Sequence, residues 1–311
     1  MNRNCLVTGG AGFIGSSIVR ELHHRGYNVV VADNLSNSDG RLISKNEVEF
    51  FKVDIASPTF VDIFKRRDFK YIFNFGSPST DRFFDLSGSA VADTIKGMFN
   101  VISIAGFTGT ESVVYPSSGT IYGSLSPPQS EHATPKPKSM YASTKMFLEN
   151  FSNTLADSDT AYLGLRIFTG FGEAELSKMQ ESRSVISLFY ESISKEMSPV
   201  IYGNGEQRRD FIYSDDIAKV AVIGAEKEVE GVINVGTGSS YSFNDVVELL
   251  NKKFGKSVKP KYVKSPIMHI PETRADISLL KEKLAYTPQS FENSLNLFLT
   301  RVRELEKFHS Q

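Results

Sequence analysis

The chain has 311 residues, a formal net charge of −1 and 40% hydrophobic residues, which is enough apolar material for a sizeable core and excludes a disordered chain. Lys and Arg residues are spread along the sequence, so neither nucleic acid nor an anionic membrane surface is expected as a partner. The single cysteine, Cys5, excludes an internal disulfide and a metal site of the Cys-cluster type, and we expect no metal.

The first informative pattern is a glycine-rich loop between a predicted strand and a predicted helix. The apolar run 5–7 precedes Gly9, Gly12 and Gly15, and the apolar spacing of 18–22 is typical of a helix packed on a sheet. Glycines at such a turn let the backbone approach a pyrophosphate, and the helix N-terminus offers free N–H groups. The pattern predicts a dinucleotide-binding turn, although it also fits a glycine-rich turn of another α/β protein.

An acidic residue at the end of the next strand strengthens this prediction. The run 28–32 ends in Asp33, about 20 residues after the loop, where a carboxylate can accept hydrogen bonds from ribose hydroxyls. Because a carboxylate repels a 2′-phosphate, the pattern favours NAD over NADP. The alternative is that Asp33 only caps the strand end.

Apolar strand-like runs alternate with helical patterns through the first half of the chain. The predicted strands cover 48–53, 71–75, 112–115 and 162–166, and the predicted helices cover 57–67, 88–106 and 139–156. This alternation predicts an α/β fold with a Rossmann-type doubly wound parallel sheet that binds ligands at the carboxyl ends of its strands.

The pattern loosens beyond residue 166. Helices are predicted at 184–196, 214–225, 242–253 and 290–307, and strands at 199–205, 232–235 and 258–263. We assign residues 1–166 to an NAD-binding Rossmann domain, to which 211–236 returns, and 167–311 mainly to a smaller C-terminal substrate-binding lobe.

Two later segments carry residue types that suit proton transfer. Tyr141 and Lys145 are four residues apart on a predicted helix, hence on one face. A nearby ammonium favours a phenolate, so the pair can act as a general acid/base; the alternative is an exposed pair on a solvated helix face. The segment 117–123 follows a strand and is rich in hydroxyls, which suits either a donor to a substrate oxygen or local capping.

These motifs together resemble the extended short-chain dehydrogenases/reductases, specifically the nucleotide-sugar epimerase/dehydratase family that includes UDP-galactose 4-epimerases. The shared motifs lie at 8–16, 33–36, 53–55, 117–123, 141–145, 166–168 and 202–218. The resemblance therefore covers almost the whole chain, and the order and spacing of the motifs carry it.

The resemblance implies a role for each matching residue. The cofactor-binding residues would be Gly9, Gly12, Phe13, Ile14, Gly15, Asp33, Asn34, Ser36, Asp54, Ile55, Phe75, Gly76, Ser77, Tyr141 and Lys145. Ser118, Tyr141 and Lys145 would be catalytic: Tyr141 as acid/base, Lys145 orienting the nicotinamide ribose and lowering the pKa of the phenol, and Ser118 bonding the reacting sugar oxygen. The substrate-binding residues would be Ser118, Thr120, Thr169, Tyr202, Arg209 and Arg274.

Two positions after Ser118 reduce the number of reactions that the family resemblance allows. Sugar 4,6-dehydratases that resemble this group carry an Asp-Glu pair in the positions of Gly119 and Thr120, and decarboxylating relatives often carry Glu in the second position. This chain has neither carboxylate. We therefore predict 4-epimerisation of a nucleotide sugar, UDP-linked in this group, through a transient 4-keto sugar. A 4-ketoreductase, a decarboxylase or dehydratase of the same family, and a non-catalytic NAD-binding protein are the alternatives.

Two further departures concern the substrate. Thr169 occupies a position where the family usually has Asn, and the segment 269–278 lacks the usual earlier Arg and Gly-Asp, which leaves Arg274 as a candidate phosphate ligand or an ordinary surface residue.

The resemblance also implies a homodimer formed through the helices near 88–106 and 139–156. Because the first predicted strand leaves no room for a signal peptide, and no continuous apolar run approaches ~18 residues, we expect a cytoplasmic protein without a membrane span.

Overall fold

The computed structural model describes residues 3–38, 40–43, 48–78, 84, 88–156, 158–178, 183–264 and 270–309, with side chains described as far as 306. Its strands are β1 (Asn4–Thr8), β2 (Asn28–Asp33), β3 (Glu49–Lys52), β4 (Tyr71–Asn74), β5 (Ser112–Ser118), β6 (Ala161–Ile167), β7 (Thr169–Phe171), β8 (Val200–Tyr202), β9 (Arg208–Arg209), β10 (Phe211–Tyr213), β11 (Gly231–Val235), β12 (Tyr241–Ser242) and β13 (Lys261–Val263). Its α-helices are α1 (Phe13–His24), α2 (Pro58–Phe64), α3 (Ala90–Thr108), α4 (Met140–Asn153), α5 (Val185–Ser194), α6 (Ser214–Glu226), α7 (Phe243–Phe254), α8 (Ser278–Leu284) and α9 (Phe291–His309).

Seven strands form one parallel sheet in the order β11-β6-β5-β4-β1-β2-β3. The chain winds outward from β1 through β2 and β3, then crosses back to β4 on the other side of β1. This confirms the predicted Rossmann-type doubly wound sheet. In such sheets ligands bind where the winding reverses, outside the carboxyl ends of the strands, here between β1 and β4.

Both faces of the sheet are covered, which is why its strands read as apolar runs. Neighbouring residues in a strand point to opposite faces. In β2, accordingly, Val29 and Val31 belong to one core cluster and Val30 to another. Helices α1, α6 and α8 cover the first face, and α2, α3 and α4 cover the second.

The later part of the chain contributes a third core. Helices α5, α7 and α9 pack around the aromatic side chains of Phe171, Phe211 and Phe298. Segment 211–236 spans two regions: β10 pairs with β7 beside this third core, whereas α6 packs on the main sheet and β11 pairs with β6. The domain boundary near residue 166 stays a prediction.

Among the described residues, one helix has the length and composition of a membrane span. Helix α3 reaches a mean hydropathy of 1.2 over an 18-residue window, of which 39% is buried. Its buried residues include Met98, Val101 and Ile104, which pack in the second core. The same helix exposes Phe99 and Phe107. Core helices of soluble proteins pass the same test, so the absence of a membrane span stays a prediction.

A buried ion pair ties α4 to the sheet. The Arg166 guanidinium on β6 donates to both carboxylate oxygens of Glu149 at 3.0 and 2.8 Å, and both side chains are at most 5% exposed. The Ser117 hydroxyl on β5 also donates to this carboxylate, and Arg166 donates further to the Tyr122 hydroxyl at 2.9 Å. These hydrogen bonds compensate for the removal of both charges from water.

We expect Arg166→Met to destabilise the protein by about 3–5 kcal/mol, because it leaves the Glu149 carboxylate buried without its partner. Urea unfolding measures the change. Arg67→Met is the matched control, since the Arg67–Glu49 pair is bidentate but half-exposed and its loss should cost at most about 1 kcal/mol. Equal losses in the two variants would contradict a dominant role for the buried pair.

Candidate active site

A cavity of about 700 Å³ lies at the carboxyl ends of the central strands. Every residue predicted to bind the cofactor lines it, as do Ser118, Thr120 and Thr169. The sequence motifs, which are scattered over more than 150 residues, therefore meet in one place. Their individual roles stay predictions, but their placement is the one those roles require.

The turn between β1 and α1 accommodates a diphosphate only because of its glycines. A Cβ on Gly15 would lie 2.0 Å from the Gly9 carbonyl oxygen, and a Cβ on Gly9, whose φ is +64°, would lie 2.3 Å from the Phe75 carbonyl oxygen. Helix α1 begins after Gly12, with no side-chain cap and no acidic residue in its first turn. The uncapped N–H groups and the positive end of the helix dipole suit an anion, so these residues fit the diphosphate of a dinucleotide.

The predicted ribose and adenine residues form a connected group at the end of β2. The Asp33 carboxylate accepts hydrogen bonds from the backbone N–H groups of Ala11 at 3.0 Å and Leu35 at 2.8 Å. Burial raises the pKa of Asp33, and these two donors oppose that shift. The Asn34 amide donates to Asp54 at 2.8 Å, which brings the ends of β2 and β3 together.

The predicted acid/base pair lies on one face of α4. The Ser139 hydroxyl caps this helix by accepting a hydrogen bond from the Ala142 N–H at 3.2 Å. The Lys145 ammonium lies 5.5 Å from the centre of the Tyr141 ring and donates to the Ser77 hydroxyl at 3.2 Å. Burial lowers the pKa of Lys145 to about 8, because an ammonium is costly to remove from water. Both side chains are buried at the cavity, which excludes the alternative of a solvated pair.

A pair of hydroxyls faces the same cavity at the end of β5. The Ser118 Oγ accepts hydrogen bonds from the Thr120 hydroxyl at 2.9 Å and from the Thr120 N–H at 3.2 Å. Since both of these bonds are accepted, the Ser118 proton can be donated to a ligand oxygen.

Three predicted substrate residues do not line this cavity. Tyr202 is 52% exposed on β8, and Arg274 lies beside Glu272, with its Nε 3.3 Å from that carboxylate. Arg209 donates to the carbonyl oxygens of Arg208 and Ile270 at 2.7 and 2.9 Å. Arg209 forms no ion pair with its neighbour Asp210, which instead accepts hydrogen bonds from Thr237, Gly238 and Ala275. Of the divergent segment 269–278, His269 lies outside the described residues.

Several cavity residues were missed by the sequence reasoning. Glu175, Lys178, Arg183 and Ser184 line the wall that follows β7. A 3₁₀ turn, Glu173–Ser177, begins this wall and is too short to leave a periodic pattern. The available signal was the concentration of charged residues within 173–183, between the predicted strand 162–166 and the predicted helix 184–196.

Comparison with known proteins identifies the family. Residues 5–236 match the model of the NAD dependent epimerase/dehydratase family. The chain belongs to this family. The resemblance inferred from the motifs is thereby confirmed, and NAD is the cofactor of the family.

Members of the family with different reactions are similar to this chain. It is 30% identical to a UDP-glucuronate 4-epimerase of Thermodesulfobacterium geofontis, over 93% of each chain. It is 26% identical to a UDP-N-acetyl-alpha-D-glucosaminuronate decarboxylase of Bacillus cytotoxicus, over 98% of this chain and 99% of the relative. The crystal structure of the UDP-glucose 4-epimerase of Thermotoga maritima with UDP-glucose superposes with a TM-score of 0.91 at 27% identity, over 97% and 99% of the two chains. These similarities establish the family, whose members catalyse more than one reaction.

The burial of Lys145 predicts a pH dependence of stability. The pKa is about 8 in the folded protein and 10.5 for the ordinary side chain, so between these values the unfolded chain carries a proton that the folded chain lacks. The destabilising contribution of Lys145 is therefore complete below about pH 8 and is relieved as the pH rises toward 10.5.

We expect the free energy of unfolding of the cofactor-free protein, relative to that of Lys145→Met, to rise by about 1.5 kcal/mol between about pH 8 and 9.5. Urea unfolding at several pH values measures the difference, in which the contributions of other titrating groups cancel. Parallel curves for the two proteins would show that Lys145 keeps an ordinary pKa.

Proposed function

We propose that the protein is an NAD-dependent nucleotide-sugar 4-epimerase of the UDP-glucose/UDP-galactose type. The observation that carries this proposal is the constellation at the ends of β5 and α4. Ser118, Tyr141 and Lys145 line one cavity, and the positions next to Ser118 carry Gly119 and Thr120 in place of carboxylates.

Each side chain has a role that follows from its environment. Bound NAD supplies a two-electron oxidant that can return the electrons later in the same cycle. The Tyr141 phenolate accepts the proton of the sugar 4-hydroxyl and gives it back after the 4-keto sugar has turned over. The Lys145 ammonium stabilises that phenolate, and Ser118 donates a hydrogen bond to the same sugar oxygen.

The hydroxyl pair distinguishes epimerisation from elimination. Removal of water across C5 and C6 needs an additional acid and base, whereas epimerisation at C4 needs one proton shuttle. Thr120 donates to the Ser118 Oγ at 2.9 Å, which leaves the Ser118 proton available for the sugar oxygen, a role that needs no carboxylate. A side chain at position 119 would also crowd Phe168, whose ring lies 3.3 Å from a Cβ built there. Glu175 lines the cavity but is held by Ser184 and Ser187, so it does not supply the missing base.

We also propose a homodimer formed by the outer faces of α3 and α4. Phe99, Phe107, Met140 and Phe147 are between 41% and 65% exposed there. The rings of Phe99 and Phe147 both pack on Phe151, with centroids 4.6 and 6.1 Å away, so the two helices present one continuous aromatic surface. An exposed apolar surface of this kind is typical of an interface.

Tyr141→Phe tests the mechanism. We expect at least a thousandfold lower turnover, because the phenol is the proton shuttle, together with unchanged NAD content. Anomeric proton NMR reads product formation from UDP-galactose, UDP-N-acetylgalactosamine, UDP-glucuronate, dTDP-sugars and GDP-sugars, with no cofactor added. Tyr162→Phe is the matched control, since Tyr162 is equally buried but lies outside the cavity.

The same assay separates the alternatives. A stereoisomer formed without added cofactor supports the epimerase and identifies its sugar. Product that appears only with stoichiometric NADH or NADPH would indicate a ketoreductase, and loss of carbon dioxide or water would indicate a decarboxylase or dehydratase. NAD binding without any change in the sugars would indicate a non-catalytic protein.

Charged substitutions test the dimer. We expect wild-type protein to sediment at twice the chain mass of 34.5 kDa and the Phe99→Glu/Phe147→Glu variant to sediment as a monomer, because buried carboxylates would be desolvated at the interface. Tyr262→Glu, at a position 51% exposed on β13, should leave the mass unchanged. A monomeric wild type, or a double variant that remains dimeric, would contradict this interface.

A further inference from the structure

The wall of the cavity after β7 carries charged side chains to which the proposed reaction assigns no role. The 3₁₀ turn Glu173–Ser177 leads into Lys178, and both Glu175 and Lys178 line the cavity. Their side chains are 3% and 9% exposed, respectively. Two buried charges at a ligand cavity need a physical explanation, since charged residues are rarely buried without partners.

The carboxylate of this pair has its own donors. Glu175 accepts hydrogen bonds from the Ser184 N–H at 3.1 Å, from the Ser184 hydroxyl at 2.5 Å and from the Ser187 hydroxyl at 2.9 Å. Both of its oxygens are therefore bonded without help from the lysine. Arg183 donates to the Lys178 and Leu176 carbonyl oxygens at 2.9 and 2.8 Å, which holds this wall in place.

The ammonium, in contrast, has no hydrogen-bond acceptor among the described residues. The Lys178 Nζ lies 4.0 Å from the nearer Glu175 oxygen, beyond hydrogen-bond distance, and 4.2 Å from the centre of the Phe13 ring. The ring and the carboxylate favour the positive charge, but neither uses the three N–H donors. Burial lowers the pKa of Lys178, which a bound anion would oppose.

The ring under this ammonium belongs to the first residue of α1. Phe13 follows Gly12 directly, at the uncapped helix N-terminus that fits a diphosphate. The same cavity therefore contains the buried Lys178 ammonium, which has no hydrogen-bond acceptor among the described residues, and the uncapped backbone N–H groups at the start of α1. Each attracts anions, and together they form a site with donors from two separate elements.

We propose that Lys178 binds an oxygen of a diphosphate group in this cavity, in the first place the diphosphate of the dinucleotide cofactor. The cofactor is favoured over a second, sugar-linked diphosphate because Lys178 packs on the residue that begins the diphosphate-binding helix. The Glu175 carboxylate opposes the effect of burial on the pKa of Lys178, and its own hydrogen bonds to Ser184 and Ser187 leave the ammonium free to donate.

Calorimetric titration of the full-length protein, freed of bound nucleotide, tests this assignment. We expect Lys178→Met to lower the affinity for NAD and for ADP-ribose at least tenfold, because both contain the diphosphate, and to change the affinity for AMP less than threefold. Lys178→Arg, which keeps the charge, should stay within threefold of wild type for ADP-ribose.

Lys70→Met is the matched control. Lys70 also lies over an aromatic ring, 5.3 Å from the centre of Tyr71, and pairs with a carboxylate, Glu111, at 3.3 Å, but it does not line the cavity. We expect it to leave all three affinities unchanged. Thermal unfolding of the three variants identifies any general loss of structure.

The outcomes separate the sources of the diphosphate. Weaker binding of UDP with unchanged binding of ADP-ribose would support the diphosphate chemistry and assign it to the sugar nucleotide. If Lys178→Met left the affinities for ADP-ribose and UDP unchanged, the proposal would be overturned. An equal loss of affinity for AMP and for ADP-ribose would also overturn it. Because the readout is binding, none of these results depends on whether the enzyme is a 4-epimerase.

Discussion

The close approach of Gly15 to Gly9 is the constraint on which the site depends. With no Cβ at either position, β1 passes into α1 within a turn so tight that a Cβ on Gly15 would overlap the Gly9 carbonyl oxygen. The turn directs the N-terminus of α1 toward the carboxyl ends of β1 and β4, the neighbouring strands between which the winding of the chain reverses. Any larger side chain would move the helix away from these strand ends, and with it the positive end of its dipole.

A second constraint holds the opposite side of the cavity. Tyr141, Lys145 and Glu149 follow one another at intervals of four on a single face of α4. The last of them is fixed by Arg166 and accepts a hydrogen bond from Ser117, the neighbour of Ser118. One buried ion pair therefore sets the position of the helix that carries the phenol and of the strand end that carries the serine, so the two sides of the predicted reaction centre share a common anchor.

The parts that could be read from the sequence are those with long periodic patterns. The predicted strand 28–33 and helix 139–156 lie within two or three residues of β2 and α4, because tertiary packing preserves an apolar periodicity of that length. Strands of two or three residues, such as β7 and β9, leave no such pattern and exist only through distant partners, β10 and β12.

The same limit explains which site residues were found. The glycines and Tyr141 belong to motifs whose spacing is local, so their placement could be predicted. Lys178 could not be predicted in this way, because its place in the cavity depends on a contact with the ring of Phe13, a residue far away in the sequence. The surroundings of Arg274 depend on a backbone contact with Gln129, 145 residues earlier, which no local pattern reports.

The distribution of charge along the cavity supports the predicted preference for NAD over NADP. At the ends of β2 and β3 the described lining residues include Asp33 and Asp54 but no Lys or Arg, so a 2′-phosphate would meet carboxylates without a compensating cation. The lysines of the described lining, Lys145 and Lys178, lie on the other elements, α4 and the wall after β7. Asp33 cannot turn away to relieve the repulsion, because its oxygens are held by the N–H groups of Ala11 and Leu35. The hydrogen bond from Ala11, within the glycine loop, thus couples the choice of cofactor to the geometry of the turn that binds it.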